Sequence, residues 1–403
     1  MILRSGRAAR GLEQILNSGG TSIVSICMLK AYSPAFVGVF GTLTTVGHLL
    51  MLYAAARYVT PAVRRIYAAQ DSPIEVHGGK LFLLAMSFVC VAATAWAANG
   101  DLTATLPSLL VTILAFSAYL FSLLLFDLSR RLAAVAQEHD GLWWMLIAPG
   151  LRIALALAIV VGGGSALLFL CGITMANLLG TVVNSTGIVW RSGQPKDSPP
   201  QAVVVSETVA AWAPTSLPVM LLALVYGPAA VSVLIAARTP VSLLNVAFEY
   251  IEVHLRSSRR VIDLFTRSDL LTNGLPIFLL VFAGWAIVGG LIYAAAPAIL
   301  SLVANEAYAD RGLELALFWM LQFFVLLDRL SFVGSRVLLP NRVQVGLSAK
   351  SFLLGLAVAV LLVYFYGPAG AIAAICLWLL LGGAARVWSI RSMPSEAASP
   401  EQR

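Results

Sequence analysis

The sequence predicts an all-α polytopic membrane protein with twelve transmembrane helices in two halves of six. Three observations support this: the composition, the spacing of the apolar stretches, and an internal repeat. Of the 403 residues, 60% are hydrophobic and only 11% are charged, and the mean hydropathy is +0.89. This composition is typical of a chain that crosses a bilayer many times, and it excludes an ordinary soluble domain.

Each of the apolar stretches approaches or exceeds the roughly 20 residues that a helix needs to cross a bilayer. The predicted spans of the first half run over residues 11–31, 37–62, 80–99, 105–131, 143–162 and 164–186. Those of the second half run over residues 205–226, 229–255, 273–301, 311–337, 343–366 and 368–390. Between the halves, residues 187–206 are rich in Pro, Ser and Lys and are predicted to form a flexible linker.

The stretch Gly11–Gly41 recurs 194 positions later without a gap. The matching residues are Glu13 and Glu207, Thr21-Ser22 and Thr215-Ser216, Tyr32 and Tyr226, and Pro34-Ala35 and Pro228-Ala229. Duplicated halves are common in transporters. We therefore predict two lobes, an N-terminal one of residues 1–200 and a C-terminal one of residues 201–403.

Basic residues are distributed unequally between the two sides of the membrane. If the N-terminus is cytoplasmic, nearly all loop Lys and Arg fall on the cytoplasmic side, and the other side holds only Lys30 and Arg311. This asymmetry predicts cytoplasmic termini. It also explains the net charge of +7 as a topology signal, so that no nucleic-acid partner is expected.

Several charged residues lie inside the predicted spans, where a charge needs a partner or water. They are Arg152, Arg238, Arg329 and Lys350, with Arg57 near the end of the second span. For Arg152, two interpretations stay open: it binds an anionic headgroup, or it forms a structural ion pair with Asp127. Likewise, Asp328 could neutralise Arg329 or Lys350.

Polar residues also follow helical faces in two spans. In the first span Glu13, Gln14, Asn17, Ser18, Thr21, Ser22 and Ser25 share one face, which must point at a cavity or at other helices. In the eighth span the spacing of Arg238, Ser242, Asn245, Glu249, Glu252 and Arg256 predicts a cavity wall rather than a packed seam. Pro240 is expected to kink that helix, and His48 is interpreted as a packing histidine more readily than as a proton relay.

Enzymatic motifs are missing from the sequence. It contains no HExxH, GxSxG or P-loop pattern, and its four cysteines form no CxxC pair, so neither a catalytic site nor a metal site is predicted. We expect no cofactor. Transport would be driven by the substrate gradient or by a coupled proton or sodium gradient.

The stretch "GLEQILNSGGTSIVSICMLKAYSPAFVGVFG" resembles the first helix and turn of Wzx-type polysaccharide flippases. These belong to the multidrug/oligosaccharidyl-lipid/polysaccharide exporter superfamily. Weaker similarities are "FDLSRRLAAVAQ", "AARTPVSLL" and "YFYGPAGAIAAICLW". The resemblance implies two six-helix lobes in a V, related by an approximate two-fold axis along the membrane normal.

It further implies transport of a lipid-linked oligosaccharide, usually a polyprenyl pyrophosphate, across the bacterial inner membrane, as in O-antigen or exopolysaccharide biosynthesis. The expected partners are this substrate, membrane lipids and polysaccharide-assembly proteins. Headgroup ligands would be Arg57 and Arg152 in the first lobe and Arg238, Arg329 and Lys350 in the second. Glu13, Asn17 and Glu249 would contact sugar hydroxyls or assist coupling.

Three other functions are alternatives to a flippase. A cation-coupled multidrug exporter of the same superfamily would need acidic rather than basic cavity residues. A glycan polymerase or ligase generally needs a large outer loop, and every predicted outer loop is short. The third is a scaffold within a polysaccharide export complex that transports nothing itself.

Overall fold

A computed structural model of the chain describes residues 2–59, 74–77, 86–87, 91, 109–136, 146–185, 188–191, 201–242, 244, 247–248, 270–339 and 341–392. In the first half its helices are α1 (Ile2–Ala31), α2 (Pro34–Ala54), α3 (Leu109–Ala136), α4 (Ile147–Val161) and α5 (Ala166–Asn184). In the second half they are α6 (Gln201–Tyr226), α7 (Pro228–Val241), α8 (Leu270–Val303), α9 (Gly312–Leu338) and α10 (Asn341–Arg391). A π-helical turn, Ala55–Val59, follows α2, and a 3₁₀ turn, Glu306–Tyr308, precedes α9.

The described helices establish a multi-pass membrane protein. Seven of them are long and apolar enough to cross a bilayer, and two more, α4 and α7, are shorter apolar helices. Helix α1 is not among the seven, in keeping with its polar face. The predicted span at 80–99 lies outside the described residues except for residues 86, 87 and 91, which are helical. The full count of twelve therefore stays a prediction.

Two turns explain where helices begin and break. Ser33 caps α2 by accepting a hydrogen bond from the backbone N–H of Phe36 at 3.4 Å, and Pro34 occupies the first turn, where its missing N–H does no harm. Within α10, Gly367 has a non-helical backbone (φ 56°, ψ −129°), which favours glycine. This break separates the predicted spans at 343–366 and 368–390.

One part of the described chain is not helical, contrary to the all-α prediction. Strand β1 (Ile74–His77) pairs in parallel with β2 (Ile188–Arg191), with Ile74 opposite Ile188. β2 lies in the region predicted as a flexible linker, and α6 begins at Gln201 rather than at residue 205. The linker prediction was wrong for residues 188–191 because Ile, Val and Trp favour strands, a signal that the Pro and Ser content of the linker obscured.

Helix contacts within the two halves match. In the first half α1 packs on α4, α2 on α3, and α3 and α4 on α5. In the second half α6 packs on α10, α7 on α9, and α9 on α10. Between the halves, α2 contacts both α6 and α7, and α1 contacts α7.

The repeated tyrosines make corresponding hydrogen bonds at the ends of α1 and α6. The Tyr32 hydroxyl donates to the carbonyl oxygen of Gly164 at 3.1 Å, in the turn between α4 and α5. The Tyr226 hydroxyl donates to the carbonyl oxygen of Tyr364 at 2.8 Å, just before the break in α10. In each half, the tyrosine therefore ties the end of the first helix to the last hairpin.

The two halves approach each other closely between α2 and α7. A Cβ added at Gly38 would lie 1.7 Å from the carbonyl oxygen of Pro228, and one at Gly41 would lie 2.3 Å from Cδ1 of Ile235. Both residue numbers increase together, so the two helices run parallel. Glycine at these positions lets the backbones meet.

A second link joins the halves at the end of α1. The backbone N–H of Asn305 donates to the carbonyl oxygen of Leu29 at 3.2 Å, and Nζ of Lys30 donates to the carbonyl oxygen of Ser301 at 2.5 Å. Tyr308 is buried in the hydrophobic core of the first half, and this burial raises the pKa of its phenol. We call the segment of residues 301–308 the strap.

Candidate functional site

Arg152 is a buried cation where α4 meets α1 and α3. Its side chain is 8% exposed, and its Nη1 donates a long hydrogen bond of 3.5 Å to Oδ1 of Asn17. Its Cζ lies 5.8 Å from the centroid of the Phe126 ring, which is within cation–π range. Helices α1 and α4 come this close because Gly20 lacks a side chain: a Cβ there would lie 3.2 Å from Ile153.

The predicted alternative, an ion pair between Arg152 and Asp127, is wrong. The Asp127 carboxylate accepts hydrogen bonds from Nε of Arg131 at 2.7 Å and Nη2 of Arg130 at 3.3 Å. These are partners three and four residues along the same helix, which is the spacing at which helical side chains meet. In the described part of the chain Arg152 makes no ion pair.

The guanidinium of Arg152 is thus left incompletely satisfied. Its Nε is buried and has no hydrogen-bond partner among the described residues. A buried charge without a counter-charge costs several kcal/mol, and a buried polar atom without a partner adds to that cost. An oxyanion bound beside Arg152 would offset both, which makes this the best candidate binding site in the described structure.

The polar face of α1 is divided between this site and the seam with α7. The hydroxyl groups of Thr21, Ser22 and Ser25 each donate to the carbonyl oxygen four residues earlier, at 2.8, 3.2 and 2.9 Å. Ser22 also lies 2.5 Å, Oγ to Oγ, from Ser242 of α7. Part of the polar face therefore satisfies itself and packs against the other half, and Asn17 is the member that reaches Arg152.

Arg238 lies on the seam between the halves. Because α2 and α7 run parallel, with Gly38 beside Pro228, Arg238 falls level with His48. Both side chains are exposed, and within the described residues neither makes a hydrogen bond or an ion pair. No hydrogen bond of His48 is seen among the described residues, and both interpretations of His48, as a packing histidine and as a proton relay, stay predictions. Helix α7 ends at Val241, one residue after Pro240.

The rest of the predicted stripe on the eighth span is not described. Asn245 and Glu249 lie outside the described residues, as does the side chain of Glu13, although its backbone belongs to α1. Their predicted contacts with substrate stay predictions.

The other predicted cations are spread over both halves. Arg57 is buried in the π-helical turn after α2, a kind of turn that recurs at functional sites. Arg329 on α9 is half-buried, and Lys350 on α10 is exposed. The alternative in which Asp328 neutralises Arg329 or Lys350 is not what the structure shows, since the Asp328 carboxylate accepts a hydrogen bond from Nη2 of Arg386.

Comparison with known proteins bears on the fold alone. No protein-family model matches the sequence, and no curated protein matches it. Solved structures do resemble it along nearly its whole length. The lipid II flippase MurJ in an inward closed conformation has a TM-score of 0.59 at 12% identity, covering 97% of this chain and 88% of that one.

A multidrug resistance MATE family transporter of the MOP superfamily, in an inward-facing conformation, has a TM-score of 0.55 at 14% identity. The similarity covers 95% of this chain and 96% of that one. The chain has the fold of MOP-superfamily transporters. The prediction of the superfamily is therefore supported as far as the fold, whereas the twelve-helix count, the two-lobe symmetry and the Wzx-type subfamily stay predictions.

Two partners of the predicted residues were missed by sequence reasoning. Phe126 stands in the stretch FDLSRR, where the sequence drew attention only to the charged residues beside it. Arg386 lies in α10, where its Nε also donates to Oγ of Ser331 at 3.1 Å. No periodicity pairs residues 58 positions apart, so Asp328 and Arg386 could not have been matched.

Proposed function

We propose that this protein is a flippase that moves a lipid-linked glycan precursor, carried on a polyprenyl pyrophosphate, across the bacterial inner membrane by alternating access. Both termini would be cytoplasmic, and the protein would catalyse no chemical reaction. Its substrate would enter from the cytoplasm, and its pyrophosphate would bind between the two halves.

The observation that supports this proposal is the state of Arg152. The guanidinium is buried and has no carboxylate partner in the described structure, and its Nε has no hydrogen-bond partner there. Arginine suits a pyrophosphate because its planar fork can bind two oxygens at once. A cationic substrate would be repelled by the same group.

The remaining cations extend the proposed site into both lobes. Arg57 would join Arg152 in the first lobe, and Arg238, Arg329 and Lys350 would face the same anion from the second lobe. Exposed Arg238, level with His48 on the seam, is the best placed of these. Asn17, already in contact with Arg152, would bind a sugar hydroxyl or orient the guanidinium. Along the cavity wall, sugar hydroxyls would be bound by Glu13, Asn245 and Glu249.

The proposed architecture is two six-helix lobes, residues 1–200 and 201–403, related by a two-fold axis along the membrane normal. The matching helix contacts and the corresponding hydrogen bonds of Tyr32 and Tyr226 support it. A duplication in which both halves have the same orientation would give an axis of this direction.

A cation-coupled multidrug exporter is the second candidate, since the fold is equally that of a multidrug resistance transporter. Such an exporter needs carboxylates that face its cavity. In the described structure Asp127 and Asp328 are both engaged by arginines, which disfavours this alternative.

The test is glycan export in a strain that depends on this protein. Arg152→Ala should abolish export while leaving membrane abundance unchanged, and Arg152→Lys should rescue only partly, because an ammonium lacks the bidentate fork. The control is Arg391→Ala, at an exposed arginine in the last turn of α10, which should export normally.

Two results would contradict the proposal. Normal glycan export by Arg152→Ala would remove Arg152 from the site. Normal export combined with new sensitivity to cationic drugs would support the multidrug exporter instead.

A further inference from the structure

Two adjacent residues of α3 face different arginines. Phe126 presents its ring to Arg152 at 5.8 Å, whereas Asp127 directs its carboxylate to Arg130 and Arg131. Successive residues on a helix point about 100° apart. The helix therefore brings an aromatic face to the buried guanidinium and turns the neighbouring carboxylate away from it.

The Phe126 ring is held in this position by close packing against Gly180 of α5. A Cβ at Gly180 of α5 would lie 2.7 Å from Cε2 of Phe126 and 2.3 Å from Cβ of Ala148. Ala148 is one turn before Arg152 on α4, so it shares that face of the helix. Phe126 itself is only 2% exposed. Any side chain at Gly180 would push the ring toward the guanidinium or push α4 away.

An aromatic ring and a carboxylate stabilise a guanidinium in different ways. The ring attracts the cation through the negative face of its π system and occupies none of the N–H donors. A carboxylate takes one or two donors and cancels the charge. With Phe126 as its neighbour, Arg152 is partly stabilised yet remains a cation, and its buried Nε has no hydrogen-bond partner among the described residues.

We propose that Phe126, seated by Gly180, is a positioning residue that keeps Arg152 charged and leaves its Nε unpaired for an oxyanion of the substrate. This inference rests on the proposed function, since it assigns the anionic headgroup to that side chain. It also assigns Asp127 to Arg130 and Arg131 alone, outside the substrate site.

The experiment measures binding of inorganic pyrophosphate to the purified full-length protein in detergent by isothermal titration calorimetry. Phe126→Tyr retains the aromatic face and should bind like the wild type. Phe126→Leu retains an apolar side chain without a π face and should bind roughly 3- to 30-fold more weakly, as loss of a cation–π contact implies. Phe126→Glu places a carboxylate beside Arg152 and should abolish binding.

The matched control is Phe116→Leu on the same helix. Phe116 is fully buried but packs near Phe36, with ring centroids 5.8 Å apart. It should lower the melting temperature as much as Phe126→Leu does and leave pyrophosphate affinity unchanged. A purely structural role for Phe126 predicts the same affinity in both leucine variants.

Three results would overturn the inference. They are failure of the wild type to bind pyrophosphate, wild-type affinity in Phe126→Glu, or equal affinity in the two leucine variants. The glycan export assay separates this inference from the proposed function. If the binding pattern holds but Arg152→Ala exports glycan normally, the proposed function fails and the positioning role stands. If Arg152→Ala stops export but the binding pattern is absent, the proposed function stands and the positioning role of Phe126 fails.

Discussion

The seam between α2 and α7 allows a graded test with three glycine-to-alanine changes. At Gly38, the new Cβ would lie 1.7 Å from the carbonyl oxygen of Pro228, 2.3 Å from its carbonyl carbon and 3.0 Å from the amide nitrogen of Ala229. All three are backbone atoms, so no side chain can move aside. To restore a contact of ~3.0 Å or more, the helices must separate.

The expected magnitude follows from overpacking. Inserting even one methyl group into a close-packed site costs about 1–3 kcal/mol, and a backbone clash belongs at the upper end. At Gly41 the nearest atom is Cδ1 of Ile235 at 2.3 Å, the end of a flexible side chain, so the cost should be smaller. At Gly19 nothing lies within 4 Å, and alanine should be neutral or stabilising by up to about 1 kcal/mol.

The assay is the thermal unfolding midpoint of the purified protein in detergent, together with its export activity. We expect the midpoint to fall most for Gly38→Ala, less for Gly41→Ala, and not at all for Gly19→Ala. Equal midpoints for Gly38→Ala and Gly19→Ala would show that α2 and α7 do not meet as described.

The strap should open during transport. The backbones of Leu29 and Asn305 are joined by a hydrogen bond of 3.2 Å, so a disulfide between Leu29→Cys and Asn305→Cys should hold the strap closed and stop export until it is reduced. Undiminished export by the cross-linked protein would contradict this. Asp127→Asn should lower the free energy of unfolding by no more than about 1 kcal/mol, because the arginine partners of Asp127 are partly exposed and on the same helix. It should leave glycan export intact. Loss of export would show that Asp127 belongs to the site of Arg152. A reporter fused after Arg403 should be cytoplasmic, and an exported reporter would refute the predicted topology.

Turn chemistry and periodicity were sufficient to predict most of the helices. The Ser33–Pro34 turn and the break at Gly367 fall where the sequence predicted, because each depends on a local backbone preference. The pairing of β1 with β2 could not be predicted, since it joins segments more than a hundred residues apart. For such pairs, sequence spacing carries no signal.

The candidate site was predicted only in part for the same reason. Depth along a helix identified Arg152 as an intramembrane cation. The choice of its neighbour depends on which way α3 is rotated, and a rotation of one residue would exchange Phe126 for Asp127. Hydropathy does not fix the rotation of α3 to within the 100° between successive residues. The sequence therefore left two alternatives for Arg152, an ion pair with Asp127 and a cation that binds an anionic headgroup.

The sign of the substrate is decided by these side-chain choices, not by the fold. A lipid II flippase and a multidrug resistance transporter share the architecture with this chain at 12% and 14% identity, so the fold by itself does not give the charge of the proposed substrate. In the described residues, Asp127 and Asp328 are each engaged by arginine, which removes two carboxylates from any cavity. Arg152, by contrast, has an aromatic neighbour and no counter-charge among the described residues. Under the proposed function, the pairing of these two acids and the unpaired Nε of Arg152 favour an anion, and exchanging the two arrangements would reverse that preference without moving a helix.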